Sequence, residues 1–220
     1  MALWRDGSAL GRAIADPRSH AERLPLEAVQ FLAAQDLTLQ DIDAFVVISG
    51  PGSFTGLRVG VSAVQGWAFA TGRPVAAVPT LAALVASVPV SDRAGIVVVP
   101  CLDGLRGEVF YGAWRDGEQV LEAAVGRPDL AVAAVQAVAA VQAVADGAPV
   151  VFAGDVAEKY EAAWAAARWL AVAPVMTLAE AAAREVAAGR FAAGAPHAVR
   201  LMYVRRTDAE IMRERGGVRP

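Results

Sequence analysis

Residues 44–71 constrain this chain more than any other stretch. Ala44-Phe45-Val46-Val47-Ile48-Ser49 is an apolar run of strand length, and Gly50-Pro51-Gly52-Ser53-Phe54-Thr55-Gly56 is a glycine-rich turn. Arg58–Thr71 then has the apolar spacing of a helix. A strand that turns tightly into a helix folds that helix back onto the sheet, so the expected fold class is α/β. The same arrangement can hold a phosphate, because backbone N–H groups converge at a helix N-terminus. Gly50, Pro51, Gly52, Ser53, Phe54, Thr55, Gly56 and Arg58 are therefore candidate site residues.

Two familiar phosphate loops do not fit. A Walker A loop ends in Gly-Lys-Ser/Thr, which brings an ammonium to the phosphates and a hydroxyl to magnesium. Here Gly56 is followed by Leu57 and Arg58. The dinucleotide fingerprint needs its third glycine three residues after the second. In this chain Gly52 and Gly56 are one residue too far apart. Spacing alone favours a turn that packs a strand closely on a helix.

The rest of the chain supports the α/β expectation. Asp6-Gly7 predicts a hairpin between Ala2-Leu3-Trp4 and Ser8–Ala15. Ser19 and Glu22 suggest a capping box for a helix reaching Ala34, with Pro25 kinking it or delaying its start. Thr38 and Asp41 are expected to cap a short turn, and Val75–Val78 reads as a buried strand. Thr80 is expected to cap a helix through Ser87. A boundary is expected at Pro89–Ala94. Beyond it, Ile96–Leu102, Glu108–Trp114 and Gln119–Val125 predict a meander turning at residues 103–107 and at Asp116-Gly117. An Ala/Val helix is expected over Asp129–Ala145, where the hexapeptide Ala131–Gln136 recurs as Ala137–Gln142. Val150–Ala153 and Leu170–Ala173 read as strands and Val156–Ala167 as a helix. Thr177 and Glu180 predict a capping box for a last helix to Ala188. The expected division is 1–90, 91–200 and a tail 201–220.

Chemistry-bearing clusters are scarce. Cys101 ends an apolar strand, where a buried inert thiol is expected. His20 and His197 are far apart, with no local pattern joining either to a nucleophile or a metal. Asp103 and Glu108 flank a turn and admit either magnesium coordination or plain turn chemistry; the second is favoured. Asp155 reads as a helix cap. The net charge of −3 lacks the basic balance of a protein that grips nucleic acid alone. There is no signal-like N-terminus and no apolar run near the ~18 residues of a membrane span. A cytoplasmic protein without a cofactor is expected.

Leu57, Val61, Val64 and Ala68 form one apolar stripe on the helix after the loop, which internal packing explains by default, but Trp67 and Phe69 point to other faces. A helix apolar on several sides is either buried or shared with a partner.

The run GPGSFTGLRVG at Gly50–Gly60 closely resembles the signature of the TsaB (YeaZ) family. Ser19–Pro25, Pro74–Leu84, the turn DGLRGEVFY at Asp103–Tyr111, Gly154–Tyr160 and Tyr203-Val204-Arg205 resemble further landmarks of that family in the right order. Gly104 and Leu105 depart from its pattern. The resemblance implies an actin-like, sugar-kinase-like ATPase (ASKHA) fold of two α/β lobes. It implies a non-catalytic subunit that pairs with TsaD, which transfers a threonylcarbamoyl group to adenosine 37 of tRNA. A TsaE-like ATPase would join the complex, tRNA would be met only through it, and the chain alone would form a homodimer. Carried onto this sequence, the partner surface would be the His20–Ala34 and Arg58–Thr71 helices, with His20, Glu22, Leu24, Phe31, Val61, Val64, Gln65 and Ala68 as its residues. A nucleotide-binding sugar-kinase-like phosphotransferase or a peptidase-like enzyme is the alternative. Family members begin with a further strand, central in the first lobe, and about a dozen residues are expected to be missing here, which would leave costly unpaired backbone. A start assigned too far downstream, or a truncated gene, would explain that.

Overall fold

The computed structural model describes residues 1–13, 20–92, 94–133, 150–154, 156, 159–160, 168–170 and 175–205. The chain opens with a hairpin of β1 (Ala2–Arg5) and β2 (Ser8–Arg12). Asp6 and Gly7 both have positive φ, 49° and 83°, as the two-residue turn requires. Helix α1 (His20–Ala33) follows, with Pro25 inside it rather than at its start. Thr38 and Asp41 cap a short turn as expected: the Thr38 N–H and hydroxyl both donate to Asp41 Oδ2, at 2.8 and 2.7 Å. Next come β3 (Phe45–Ile48), α2 (Phe54–Thr71), β4 (Val75–Val78) and α3 (Thr80–Ser87).

β3 and β4 pair in parallel, Phe45 opposite Val75 and Ile48 opposite Val78. The connecting helix α2 covers one face of the pair. Its stripe Val61, Val64 and Ala68 packs with Phe45, Val47, Val75 and Val199. Trp67 tilts against Phe45, with ring centroids 6.2 Å apart.

The second half is a five-stranded sheet in the order β7-β6-β5-β8-β9, built from β5 (Val97–Leu105), β6 (Glu108–Arg115), β7 (Glu118–Gly126), β8 (Val150–Gly154) and β9 (Arg168–Leu170). β5, β6 and β7 form the expected antiparallel meander, and β8 and β9 add in parallel. Strand alternation divides the core. Val97, Val99 and Cys101 face one side with Val109, Tyr111 and Phe152, while Val98 faces the other with Leu81, Val85 and Trp114. Gly154 lies so close to β5 that a Cβ there would sit 1.8 Å from the Cys101 carbonyl oxygen. Residues 128–133 are helical. The rest of the expected Ala/Val helix, Asp155 and most of the expected Val156–Ala167 helix lie outside the described residues.

The last helix, α4 (Val175–Ala187), crosses back to the first half. It packs on β1, β3 and α3, and Val78, Ala83 and Ala182 meet in its interface. Residues 175–187, expected within the second lobe of 91–200, thus pack on first-half elements. α4 also starts earlier than its expected capping box, so Thr177 and Glu180 are interior positions. Glu180 instead pairs with Arg12 of β2 at 2.6 Å. Thr80 likewise does not cap α3: Pro79 precedes the helix, the Thr80 N–H donates to the Gly50 carbonyl at 2.8 Å, and the buried Thr80 hydroxyl has no partner among the described residues.

Two strand edges in the first half are open. The Phe45 N–H donates to Pro74 and the Ser49 N–H to Val78, so by alternation the backbone groups of Val46 and Ile48 face away from β4. Met1 and Ala13 exchange both bonds, so those of Ala2 face away from β2. Among the described residues no strand pairs with either edge, and β1 and β3 are not bonded to each other.

Candidate functional site

The glycine run is less loop than its sequence suggests. α2 begins at Phe54, four residues before the expected Arg58, because Ser53 caps it: the Gly56 N–H donates to Ser53 Oγ at 3.3 Å and the Leu57 N–H to the Ser53 carbonyl at 2.9 Å. Thr55 and Gly56 are thus first-turn residues, and only Gly50, Pro51 and Gly52 form the turn. Gly50 has φ of 114°, and a Cβ there would lie 2.5 Å from the Met202 carbonyl oxygen. Pro51 is fully buried. The turn is packed on protein at Gly50 and Pro51, while Gly52 is exposed.

The mouth of the loop opens on a cleft of about 620 Å3. Residues 51–55 and Leu57 line one wall, residues 103–106 and Phe110 the second, and residues 202–205 the third. Arg58, the cation nearest the loop in sequence, is turned onto aromatic rings. Its guanidinium carbon lies 3.8 Å from the Phe54 ring centre, and its Nε donates to Tyr203 Oη at 3.2 Å. It is held by cation–π contact and a neutral hydrogen bond.

Asp103 and Glu108 both act in plain structural roles. The turn between β5 and β6 is tighter than expected, with Arg106 and Gly107 at φ of 57° and 76° and Asp103 already in the strand. Asp103 Oδ1 accepts from the Leu105 N–H at 2.9 Å, and Oδ2 from Lys159 Nζ at 2.6 Å. Burial works to raise the Asp103 carboxyl, but hydrogen bonds from Lys159, the Leu105 N–H and Tyr160 together hold it below its ordinary value. Glu108 pairs with Arg205. Cys101 is buried as expected. Among the described residues no three His, Cys, Asp or Glu side chains gather as metal ligands would.

The expected partner residues do not form one surface. Val61, Val64 and Ala68 are core, 6, 9 and 0% exposed, because the stripe they form is the one that covers β3 and β4. Gln65 donates to the Pro196 carbonyl at 2.8 Å, and Phe31 lies against Gly11 of β2. Leu24 is half-buried, and the side chains of His20 and Glu22 are outside the described part. The large apolar side chains these helices do expose are Leu26 and Val29 on α1 and Phe54 and Phe69 on α2, the last 87% exposed. The sequence placed Phe69 off the buried stripe without marking it as the most open of the large apolar side chains.

Residues 15–218 match the family model described as TsaD, tRNA N6-adenosine threonylcarbamoyltransferase. The chain is 31% identical over 118 residues to the tRNA threonylcarbamoyladenosine biosynthesis protein TsaB of Escherichia coli K12, a match covering 54% of this chain and 51% of that protein. It is 39% identical over 114 residues to an uncharacterized protein of Mycobacterium tuberculosis strain H37Rv, covering 52% of this chain and 51% of that protein. The chain thus spans about half the length of these curated relatives. A solved structure of YeaZ from Pseudomonas aeruginosa superposes with a TM-score of 0.68 at 27% identity, covering 92% of both chains. The chain belongs to this threonylcarbamoyltransferase-related family, on its TsaB (YeaZ) side. No helix among the described residues is long and apolar enough to cross a membrane.

Proposed function

We propose that this chain is a non-catalytic accessory subunit in the synthesis of threonylcarbamoyladenosine on tRNA, acting in the cytoplasm by pairing with a TsaD-like catalytic subunit. The likeness to TsaB proteins supports the pathway. The observation that carries the pairing is Phe69. Burying a fully exposed phenylalanine is worth about 2 kcal/mol, which makes it a natural anchor at a contact. Leu26 and Val29, three positions apart on α1, add apolar surface on the helix that packs beside α2. In this reading a TsaE-like ATPase joins the pair, tRNA is met only in the complex, and the chain alone uses the same surface for a homodimer. The glycine turn serves packing: Ser53 and Gly56 are used within the chain and Arg58 is stacked on Phe54, which speaks against a kinase-like phosphate site.

Co-expression with a TsaD-like subunit tests the pairing. Wild type is expected to co-purify with it and to support tRNA modification, whereas Phe69→Ser and Leu26→Ser weaken both while keeping wild-type circular dichroism. If wild type fails to co-purify, the pairing is wrong. If the folded variants bind as well as wild type, the surface is wrong. Modification by TsaD and TsaE at full rate without the chain would remove the accessory role.

We also infer that the first lobe, taken as sugar-kinase-like, is one strand short of a continuous sheet. The backbone of Ala2, Val46 and Ile48, which faces no partner strand among the described residues, supports this reading. Fast amide exchange is expected at Val46 and Ile48. Protection there equal to that of Val47 would overturn it.

A further inference from the structure

The cleft between the halves is crossed by residues 201–205, and the two ends of this crossing are held very differently. On the first-lobe side Leu201 packs with the cluster around Val61 and Val199. The Met202 N–H donates to the Ser49 carbonyl at 2.8 Å, and the Met202 carbonyl lies where only a glycine, Gly50, leaves room for it. Tyr203 stacks on Phe54 with centroids 5.3 Å apart and accepts from Arg58. Among the described residues, the attachment on the second-lobe side is one side chain. Arg205 pairs with Glu108, donates to the Leu105 carbonyl at 3.4 Å, and places its guanidinium 5.4 Å from the Phe110 ring centre.

The Arg205 end carries a cost that the Met202 end does not. Arg205 Nε is buried with no acceptor among the described residues, and an orphaned buried donor loses its hydration without compensation. Release of the guanidinium would return that donor to water. Release of Met202 would instead break a backbone bond and expose Leu201. Release there also breaks the Glu108 pair and the Leu105 bond, but these come from one side chain, so the far end is the weaker of the two.

We propose that residues 201–205 are a latch that sets the opening between the two lobes, fixed at Ser49–Gly50 and released at Arg205–Glu108. Closed, it holds the β5–β6 hairpin against the glycine turn. Released, it lets the hairpin and the turn separate and widens the cleft between them. Its control is electrostatic, so ionic strength and the charge at position 108 govern it.

Spin labels on Ala70→Cys in α2 and Glu118→Cys in β7, in the full chain, would read the separation of the lobes. Wild type is expected to give a narrow distance distribution. Arg205→Gln and Glu108→Gln are each expected to raise the population of longer distances about tenfold, the effect of losing a charge-assisted hydrogen bond. The paired exchange Arg205→Glu with Glu108→Arg restores the narrow distribution. Tyr203→Phe, which removes only the Arg58 bond on the fixed side, leaves it unchanged. If Arg205→Gln does not fold by circular dichroism, Glu108→Gln carries the same expectation. Identical distributions in wild type and Glu108→Gln would overturn the latch. So would an opening by Tyr203→Phe as large as that by Glu108→Gln, or failure of the charge exchange to restore closure.

Discussion

The two halves of this protein build a sheet layer in opposite ways. In the second half five strands share one hydrogen-bonded ladder, and its apolar faces follow the alternation of β5 and β6. In the first half four strands form two separate pairs, and what joins them is side-chain packing beneath α4. A ladder fixes strands through main-chain groups that every residue carries. A helix holds them through particular side chains, so the first half is more exposed to single substitutions. α3 belongs to both, since Leu81 and Val85 pack on the large sheet while Ala83 packs with Val78 and Ala182.

The largest expected effect is Val61→Glu. The side chain is 6% exposed within the first-half core, and an unpaired carboxylate there costs about 4 kcal/mol. Hydrogen exchange should show β3 and β4 losing protection while β5 and β6 retain theirs. Equal loss in both halves would show one cooperative unit and dissolve the contrast. Gly154→Ala attacks the ladder instead. The added methyl meets the Cys101 carbonyl, and the forced shift of β8 costs about 3 kcal/mol. Here β5 and β8 should lose protection first, with thermal unfolding as the check on magnitude.

The parts of this fold that were legible in the sequence are those set by local period and turn chemistry. Asp6-Gly7 and Thr38 with Asp41 rest on contacts within a few residues, and the β3–α2–β4 order and the meander show in the period and turns of each element. Ser53 does not stand out as the cap of α2, because it sits inside a glycine run that also admits a phosphate reading. The Thr80 side chain suits a cap, yet its N–H is taken by Gly50, thirty positions away. The family resemblance puts Val61, Val64 and Ala68 on a partner surface, whereas their stripe at helical spacing is by default internal packing and states only that something covers it. Here the cover is β3 and β4. The cleft was invisible for a similar reason: Arg58 meets Tyr203 across 145 positions, and no periodicity marks such a pair.

A smaller effect probes how the hairpin is held. Arg12 and Glu180 tie β2 to α4 at 2.6 Å, with Arg12 about half exposed. Glu180→Gln should cost about 0.5 kcal/mol globally, as exposed pairs do. Amide exchange within β1 and β2 should rise while that of β3 does not change. A rise in β3 as well would mean that the two pairs open together despite lacking a shared ladder.

The smallest expected effect lies in the second half and depends on pH. Asp103 joins β5 to Lys159 and Tyr160. Its carboxyl is held below the ordinary value in the folded protein, so the unfolded chain takes up the proton first as pH falls. The stabilising contribution is therefore complete above the ordinary carboxylate range and is lost as pH falls through the lowered folded value. Asp103→Asn removes that contribution at neutral pH but leaves a neutral side chain with nothing further to lose in acid. Wild type should be the more stable of the two at pH 7, and their thermal midpoints should converge towards pH 2. The five-stranded ladder does not depend on this tie, so β5 and β6 should stay protected in the variant throughout. Loss of their protection in Asp103→Asn at neutral pH would show that the second half, too, leans on particular side chains.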